Sequence, residues 1–313
     1  MSGEFKRIET YFRPLAGLEG LSLLDDASLI SPPEGVDLVV TKDILIENVH
    51  FLSSDPADTL ARKALAVNLS DLAAKGADPY LYYLGLAVPS GVSDDWFAAF
   101  AQGLADMQDT YSLSLAGGDT TRSPDAIMLS ITLIGTVPKG GMIQRSTARV
   151  GDLVCVSGTL GDGALGLLAA QGNIPANQHL LENYQRPVPR QDMVPIIRKV
   201  ATASADISDG LLADLGHICT ASGVGAVVRQ AALPISDDAN AVLASMPEYR
   251  PLIWSGGDDY ELVFTVPAQY RAELESGHAA VSIIGEIIDG AEVTLLDLDN
   301  NPVKVSRSGF QHF

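Results

Sequence analysis

The chain has 313 residues, of which 47% are apolar and 19% are charged, a composition typical of globular rather than disordered proteins. This length favours two domains, because single hydrophobic cores rarely grow so large. Acidic residues number 39 and basic residues 20, which gives a formal net charge of −19. Such a charge argues against a nucleic-acid surface and against an anionic membrane surface, since both need clustered Lys and Arg.

Strands and helices are predicted to alternate along the chain. Apolar runs predict strands at residues 36–41, 127–135, 153–156, 261–266 and 281–286. Apolar residues at helical spacing predict helices at residues 59–75, 94–108, 162–171 and 210–222. We expect Asp58 to cap the first helix and Gly223 to end the last. A glycine-rich, basic stretch at 138–151 predicts a boundary between domains of residues 1–140 and 141–313.

The two cysteines, Cys155 and Cys219, lie in apolar stretches without CxxC spacing, so structural zinc and a disulfide framework are not expected. The N-terminal segment lacks the apolar centre of a signal peptide. No apolar run approaches the roughly 20 residues that span a bilayer. We therefore expect a cytoplasmic protein with no membrane partner and no nucleic-acid partner.

Aspartates recur where predicted strands end or helices begin. The positions are Asp25, Asp26, Asp43, Asp119, Asp206, Asp209, Asp258 and Asp259. Asp43 follows the strand predicted to end at Thr41, and Asp119 lies in a Gly-Gly-Asp-Thr-Thr sequence typical of a turn. Carboxylates at such positions are well placed to share one cleft. Asp71 lies on the first predicted helix, four residues before Lys75, which is also the spacing of a surface ion pair.

Several carboxylates from different segments suit a nucleotide site that contains magnesium. Mg²⁺ takes oxygen ligands and is usually held by one or two carboxylates together with substrate phosphates. Taken singly, each aspartate is more simply explained as a helix cap or turn residue. The chain has no P-loop, no protein-kinase motif set and no dinucleotide-binding glycine motif. ATP would therefore be bound by some other design.

An ordered set of motifs extends over nearly the whole chain, from Glu4 to Phe313. It comprises LDDA at 24–27, TKD at 41–43, NVHF at 48–51, KALAVNLSDLAAKGA at 63–77, AGGDTT at 116–121, RS at 145–146, SGTLGD at 157–162, DISDGLLADLG at 206–216 and GGDDYEL at 256–262. In order and spacing, this set resembles the thiamine-monophosphate kinases, a family of the aminoimidazole ribonucleotide synthetase superfamily.

The resemblance implies a two-domain aminoimidazole ribonucleotide synthetase-like kinase fold. An N-terminal α/β domain would form a homodimer, and a C-terminal α+β domain would follow. The resemblance also implies ATP as co-substrate, several Mg²⁺ ions, and direct transfer of the γ-phosphoryl group to thiamine monophosphate, giving thiamine diphosphate. Because the acceptor is already an anionic phosphate at neutral pH, the reaction needs no general base.

Site residues follow from the resemblance motif by motif. The implied metal ligands are Asp26, Thr41, Asp43, Asp71, Asp119, Asp206 and Asp209. The implied ATP contacts are Gly118, Asp119, Arg145 and Ser208, and the implied substrate contacts are His50, Asp258 and Phe310. The residues expected to carry catalysis are Asp43, Asp119, Arg145 and Asp209. Arg145 is given a phosphate contact because a guanidinium can bind two oxygens at once.

Three positions depart from the family pattern. Lys42 stands where the family often has Thr, so it either weakens a metal position beside Asp43 or points away on the opposite strand face. Leu24 replaces a common Gly. Arg307 occupies a position often held by an aromatic residue that packs on the substrate, a role that Phe310 is expected to take instead.

Two alternatives remain open at this point. One is another ATP-using enzyme of the superfamily, although the chain lacks the reactive N-terminal Cys of a selenophosphate synthetase and the C-terminal Cys tail of the hydrogenase-maturation relative. The other is a catalytically silent nucleotide-binding protein, to which Lys42 and Arg307 would point.

Overall fold

The computed structural model describes residues 3–276, 281–305 and 308–310. The chain forms two compact units, the first comprising Met1–Leu72 and Ala77–Gly141 and the second comprising Ala73–Gly76 and Met142–Phe313. Each unit is built on its own β-sheet flanked by helices. The predicted combination of α/β and α+β folds in two domains is confirmed. Arg307 lies outside the described residues.

Unit 1 contains a four-stranded sheet in the order β1-β4-β2-β3, antiparallel except for the parallel pair β2 and β3. The regular elements are α1 (Gly3–Arg7), β1 (Val36–Ile46), α2 (Ala57–Ala74), β2 (Asp78–Val88), α3 (Asp94–Tyr111), β3 (Ser114–Arg122) and β4 (Met128–Pro138). Short helical segments at Ile8–Phe12, Arg13–Leu15 and Leu18–Leu23 precede β1, and the last of these is kinked at Leu21 and Ser22.

Helix α3 shows how the apolar pattern builds the core of unit 1. The side chain of Ser93 accepts the N–H of Trp96 and caps the helix, which ends at Ser112 in the left-handed conformation. Phe97, Phe100 and Leu104 on the predicted stripe are fully buried. The sequence pattern therefore identified the buried face of this helix correctly.

Strand β1 alternates between a buried face and an exposed face. Val39, Thr41 and Leu45 are buried, whereas Val40 is 60% exposed and Ile44 is 49% exposed. This alternation continues to Ile46, five residues beyond the predicted end of the strand.

Unit 2 contains a six-stranded sheet in the order β10-β7-β9-β5-β8-β6, antiparallel except for the parallel pair β10 and β7. Its elements are β5 (Leu153–Ser157), α4 (Asp162–Ala170), α5 (Gln178–Gln185), α6 (Val194–Val200), β6 (Ala203–Asp206), α7 (Leu211–Ser222), β7 (Gly225–Arg229), α8 (Asp237–Ser245), α9 (Leu252–Ser255), β8 (Leu262–Val266), α10 (Arg271–Ser276), β9 (Val281–Ile288) and β10 (Val293–Leu296).

The core of unit 2 lies on both faces of this sheet. Val263 of β8 belongs to an apolar cluster shared with α7, whereas its neighbours Leu262 and Phe264 belong to a second cluster shared with α6. Such period-two alternation between two apolar faces explains why β8 reads as a continuous apolar run in the sequence. Helix α7 ends at Gly223, which is left-handed with a φ of 67°, as predicted.

Three local predictions were wrong. Asp43 lies inside β1 rather than after it, because β1 continues to pair with β4 as far as Ile46. Asp119 lies inside β3 rather than in a turn, because β3 pairs with β2 as far as Arg122. Asp58 is the second residue of α2 and therefore does not stand at the cap position. In the described part of the chain, no helix combines the length and apolarity needed to cross a membrane.

Candidate active site

A cavity of about 400 Å³ opens at the β3 edge of unit 1. Its lining includes Asp25, Asp26, Gly118 and Asp119, together with apolar side chains such as Phe12. Two predicted metal ligands, Asp26 and Asp119, therefore lie on one cavity with the predicted ATP contact Gly118. The cavity combines carboxylate oxygens with an apolar wall, as a nucleotide site requires.

The loop that carries Asp25 and Asp26 is held over β2 and β3. A hydrogen bond joins the hydroxyl groups of Ser28 and Tyr83, and the backbone N–H of Asp26 donates to Oδ1 of Asp25 at 2.8 Å. A side chain at Gly118 would collide with the backbone carbonyl of Leu84. Glycine at this position therefore follows from the close approach of β2 and β3.

A second polar cluster lies at the opposite edge of the sheet, between β1 and α2. The hydroxyl of Thr41 donates to Oδ1 of Asn68 at 2.7 Å, and both residues are buried. Asp43 follows Thr41 on the same face of β1, and Asp71 follows Asn68 by one helical turn. Three predicted metal ligands, Thr41, Asp43 and Asp71, are thus carried on facing surfaces of a strand and a helix.

Lys42 lies on the other face of β1. Its ammonium donates to Oγ of Ser130 at 2.6 Å and approaches Oγ1 of Thr132 at 3.4 Å, both on β4. Of the two orientations considered for Lys42, the structure shows the one that points away from Thr41 and Asp43. The main sequence argument for a weakened metal position is therefore removed.

His50 lies just beyond the end of β1. Its Nδ1 accepts the backbone N–H of Ile46 at 3.0 Å, while its own backbone N–H donates to the carbonyl of Ile46 at 2.9 Å. Because Nδ1 is an acceptor, the neutral imidazole carries its proton on Nε2. This geometry fixes the ring and orients a donor that suits an anionic phosphate.

Within one copy of unit 1, the two groups do not form a single cleft as the sequence predicted. The strand register places Asp43, Ile131, Leu84 and Gly118 in one row across all four strands. Three inter-strand spacings of about 4.8 Å separate the ends of that row by about 14 Å. Asp43 and Asp119 are therefore too far apart to bind one ion from the same chain.

In unit 2, four predicted residues from three segments lie together. The backbone N–H of Asp258 donates to the carbonyl of Ser208 at 3.0 Å, and that of Phe310 donates to the carbonyl of Asp209 at 2.9 Å. A side chain at Gly257 would collide with the carbonyl of Ser208. The predicted ATP contact, one metal ligand and two substrate contacts are thus fixed around one loop.

Asp258 has an unusual backbone. Its φ is 67° and that of Tyr260 is 52°, a left-handed conformation that is uncommon outside glycine. The hydroxyl of Tyr260 donates to Oδ1 of Asp258 at 2.9 Å and orients the carboxylate. Left-handed non-glycine residues cluster at functional sites, where the surrounding structure holds them in place.

Asp214 lies within the motif at 206–216 but was not among the predicted site residues. Oδ2 of Asp214 accepts the backbone N–H groups of Ser208, Asp209 and Gly210, each at 3.1 Å. Burial raises the pKa of Asp214 to about 7, and the charges of Asp206 and Asp209 add to this increase. Carboxylate oxygens of Asp209 and Asp214 and a ring nitrogen of His217 lie within 4.8 Å of one another.

Arg145 lies at the other end of α7 from this loop. Its carbonyl accepts the hydroxyl of Ser222 at 2.9 Å, at the C-terminal end of the helix. Ser208 and Asp209 precede the N-terminal end, and the 12 residues of α7 span about 18 Å. The structure therefore does not bring the Arg145 backbone beside Ser208 and Asp209, and the phosphate contact of Arg145 stays a prediction.

The donor atoms of the predicted metal ligands in these clusters fit magnesium. They are carboxylate and hydroxyl oxygens, which are the protein ligands that Mg²⁺ prefers, and no sulfur ligand is among them. Asp119 is exposed and Asp43 is half-buried, so both are placed to meet a hydrated ion. Asp206, in contrast, is buried at the end of β6.

Comparison with known proteins assigns the family. Residues 24–137 match the N-terminal domain of AIR synthase related proteins, and residues 149–297 match the C-terminal domain. The thiamine-monophosphate kinase of Caulobacter vibrioides is 42% identical over 99% of this chain and 90% of its own length.

Solved structures agree with this assignment. The crystal structure of thiamine-monophosphate kinase from Stenotrophomonas maltophilia K279a is 40% identical, covers 96% of both chains and has a TM-score of 0.82. AaThiL complexed with AMPPCP and TMP is 32% identical, covers 92% of this chain and 91% of its own, and has a TM-score of 0.81. The chain belongs to the thiamine-monophosphate kinase family of AIR synthase related proteins.

Proposed function

We propose that this chain is an ATP-dependent kinase that transfers the γ-phosphoryl group of ATP to thiamine monophosphate, giving thiamine diphosphate and ADP. Thiamine-monophosphate kinases of other organisms align with nearly the full length of this chain. The observation within the chain that best supports the proposal is the group formed by Ser208, Asp209, Asp258 and Phe310 in unit 2. Its members are residues that would contact the nucleotide, the metal and the substrate, and they lie around one loop.

The proposed reaction needs positioning more than acid–base chemistry. A phosphate oxygen of thiamine monophosphate attacks the γ-phosphorus of ATP, and the bond from that phosphorus to the β–γ bridging oxygen breaks as ADP leaves. The attacking oxygen is already ionised at neutral pH, so no side chain has to remove a proton. The protein would contribute alignment and charge neutralisation.

The carboxylates would hold Mg²⁺, which, when bound, neutralises charge on the triphosphate and on the transferring group. The proposed ligands are Asp26, Thr41, Asp43, Asp71, Asp119, Asp206 and Asp209. Gly118, Arg145 and Ser208 would contact ATP, with the backbone of Gly118 open to the cavity at the β3 edge. The guanidinium of Arg145 would bind phosphate oxygens.

His50, Asp258 and Phe310 would bind thiamine monophosphate. The Nε2–H of His50 suits a phosphate oxygen, and the carboxylate of Asp258 suits a cationic thiazolium ring. Phe310 is 44% exposed, and its backbone is bonded to that of Asp209, so its ring would be available to pack on the same ligand. An aromatic face attracts a cation by about 0.5–2 kcal/mol.

We expect the active protein to be a cytoplasmic homodimer formed through unit 1. Strand β1 is an edge strand whose outer face exposes Leu38, Val40 and Ile44, and an exposed apolar edge is typical of an interface. Within one chain, Asp43 and Asp119 are about 14 Å apart. In the dimer, the β1 edge of one chain would approach the β3 edge of the other, so Asp43 of one chain and Asp119 of the other could share one site.

Mixing two inactive variants tests the dimer. If Asp43→Asn and Asp119→Asn chains are each inactive, mixed dimers regain one intact site of two, so about a quarter of wild-type activity should return on random exchange. Mixing Asp43→Asn with Asp43→Ala is the matched control and should restore nothing. A mixture that stays inactive, although mass spectrometry shows exchange, would rule out a shared site.

The transfer itself is tested with ATP labelled at the γ-phosphorus. The label should appear in the terminal phosphate of thiamine diphosphate, with ADP as the other product. Label retained on the protein would indicate a phosphoenzyme, and AMP as product would indicate transfer of diphosphate; either result would contradict direct γ-phosphoryl transfer.

A further inference from the structure

Asp214 is a buried carboxylate that lies directly behind the Ser208–Asp209 loop. It is 2% exposed and lies in the first turn of α7. Its Oδ2 accepts three consecutive backbone N–H groups, those of Ser208, Asp209 and Gly210. Its own N–H donates to the carbonyl of Gly210 at 3.0 Å. One side chain therefore binds the backbone of three consecutive residues of the loop.

These hydrogen bonds restrict the backbone conformation of the loop. A single oxygen with three N–H donors makes the donors converge, so the carbonyl groups of the same peptides point away from Asp214. Those carbonyls are the groups that accept the N–H of Asp258 and of Phe310. Gly210 has a φ of 128°, and a side chain there would contact the backbone of Ser255. The loop is thus held from both sides.

We propose that Asp214 is a positioning residue that fixes the Ser208–Asp209 loop in the orientation needed to bind the metal–nucleotide complex. The inference rests on the proposed function for the roles of Ser208 and Asp209, and it adds a residue that would act through the backbone of this loop. A purely structural role predicts lower stability alone. A positioning role predicts weaker nucleotide binding in molecules that are still folded.

Two substitutions at Asp214 separate these roles. Asp214→Ala leaves three buried N–H groups without their acceptor, whereas Asp214→Asn keeps one oxygen that can accept them. Misplacement of site groups by about 1 Å lowers activity by about 100-fold, so we expect that loss in kcat/KM for ATP with Ala and about a tenfold loss with Asn. The half-saturating Mg²⁺ concentration should rise in the same order.

Asp297 provides the matched control. Its Oδ1 also accepts two backbone N–H groups, from Asp299 and Asn301, but in an exposed turn next to β10. Asp297→Ala should leave both KM values and the Mg²⁺ requirement within about twofold of wild type. All activities are divided by the folded fraction measured by circular dichroism at the assay temperature.

Binding of AMPPCP with Mg²⁺, measured by calorimetry, separates this inference from the proposed function. Wild type that binds AMPPCP but makes no thiamine diphosphate would overturn the proposed function, while weaker binding by folded Asp214→Ala would still support the positioning role. Folded Asp214→Ala that binds Mg²⁺–AMPPCP within twofold of wild type would overturn the inference. If Asp214→Ala does not fold, folded Asp214→Asn decides in the same way.

Discussion

The backbone N–H of Phe310 donates to the carbonyl oxygen of Asp209 at 2.9 Å, so an aromatic side chain near the C-terminus lies beside a predicted metal ligand. Phe310 is 44% exposed. We expect Phe310→Ala to raise the KM for thiamine monophosphate about tenfold, the effect of losing an aromatic face from a cationic ligand. The kcat and the KM for ATP should change by less than about threefold.

Steady-state kinetics with each substrate varied in turn tests this role. Phe310→Tyr should keep the wild-type KM because it keeps the ring. Phe5→Ala serves as control, since Phe5 is another exposed aromatic residue, in α1 of unit 1. An unchanged KM for thiamine monophosphate in Phe310→Ala would exclude packing of this ring on the substrate.

Substitution of Lys42 is expected to have no effect on the proposed metal site. Because its ammonium donates to Ser130 and Thr132 on the face opposite Asp43, Lys42→Thr should leave the Mg²⁺ dependence of the rate unchanged within about twofold. Asp43→Asn, one residue later, should lower kcat by about 100-fold or more, because a carboxylate facing the site is lost. Magnesium titrations of both variants measure the contrast. A lower half-saturating Mg²⁺ concentration in Lys42→Thr than in wild type would show that Lys42 does weaken the metal site.

Asp258 has a left-handed backbone, so two substitutions there should separate effects on stability from effects on substrate binding. Asn tolerates a positive φ at least as well as Asp, so the free energy of unfolding of Asp258→Asn should lie within about 1 kcal/mol of wild type. Its KM for thiamine monophosphate should rise about tenfold because the negative charge is lost. Asp258→Val should lose about 2 kcal/mol or more, because a β-branched residue is strained at this φ. Denaturant unfolding and kinetics together measure both effects, and equal stability of the Asn and Val variants would contradict the described backbone.

The two cysteines should be inert in the folded protein. Cys155 is fully buried and Cys219 is 1% exposed, and burial raises the pKa of these thiols to about 12 and about 11. We expect no reaction with a thiol-specific dye at pH 8 under native conditions and two equivalents in denaturant. Rapid native labelling of either thiol would show that one of these strands or helices opens easily.

The sequence predicted the order of helices and strands better than the position of single aspartates. The stripe on α3 and the stop at Gly223 depend on local spacing and backbone preference, and both are confirmed. Asp43 and Asp119 were placed at a strand end and in a turn because polar and glycine residues resemble loops. Pairing with neighbouring strands overrides that local preference, and pairing is not visible in one sequence.

The site residues, too, were predicted only as far as local sequence allows. Motif order was sufficient to name Ser208, Asp209 and Asp258, and Phe310 was expected to replace the aromatic residue missing at position 307. The structure brings these four residues together. The register that separates Asp43 from Asp119 depends on which strands pair, and the sequence did not predict β2 at all. Asp214 was not named, because its role depends on three backbone N–H groups that only the folded loop brings to one oxygen.

Formation of thiamine diphosphate is the decisive observation for the proposed kinase activity. Purified protein is incubated with ATP, MgCl₂ and thiamine monophosphate, and the products are separated by chromatography, with Asp43→Asn and Lys42→Thr run in parallel. We expect thiamine diphosphate and ADP in equal amounts from wild type and from Lys42→Thr, and almost none from Asp43→Asn. ATP binding without any thiamine diphosphate from wild type would contradict it and would indicate a different acceptor or a silent nucleotide-binding protein.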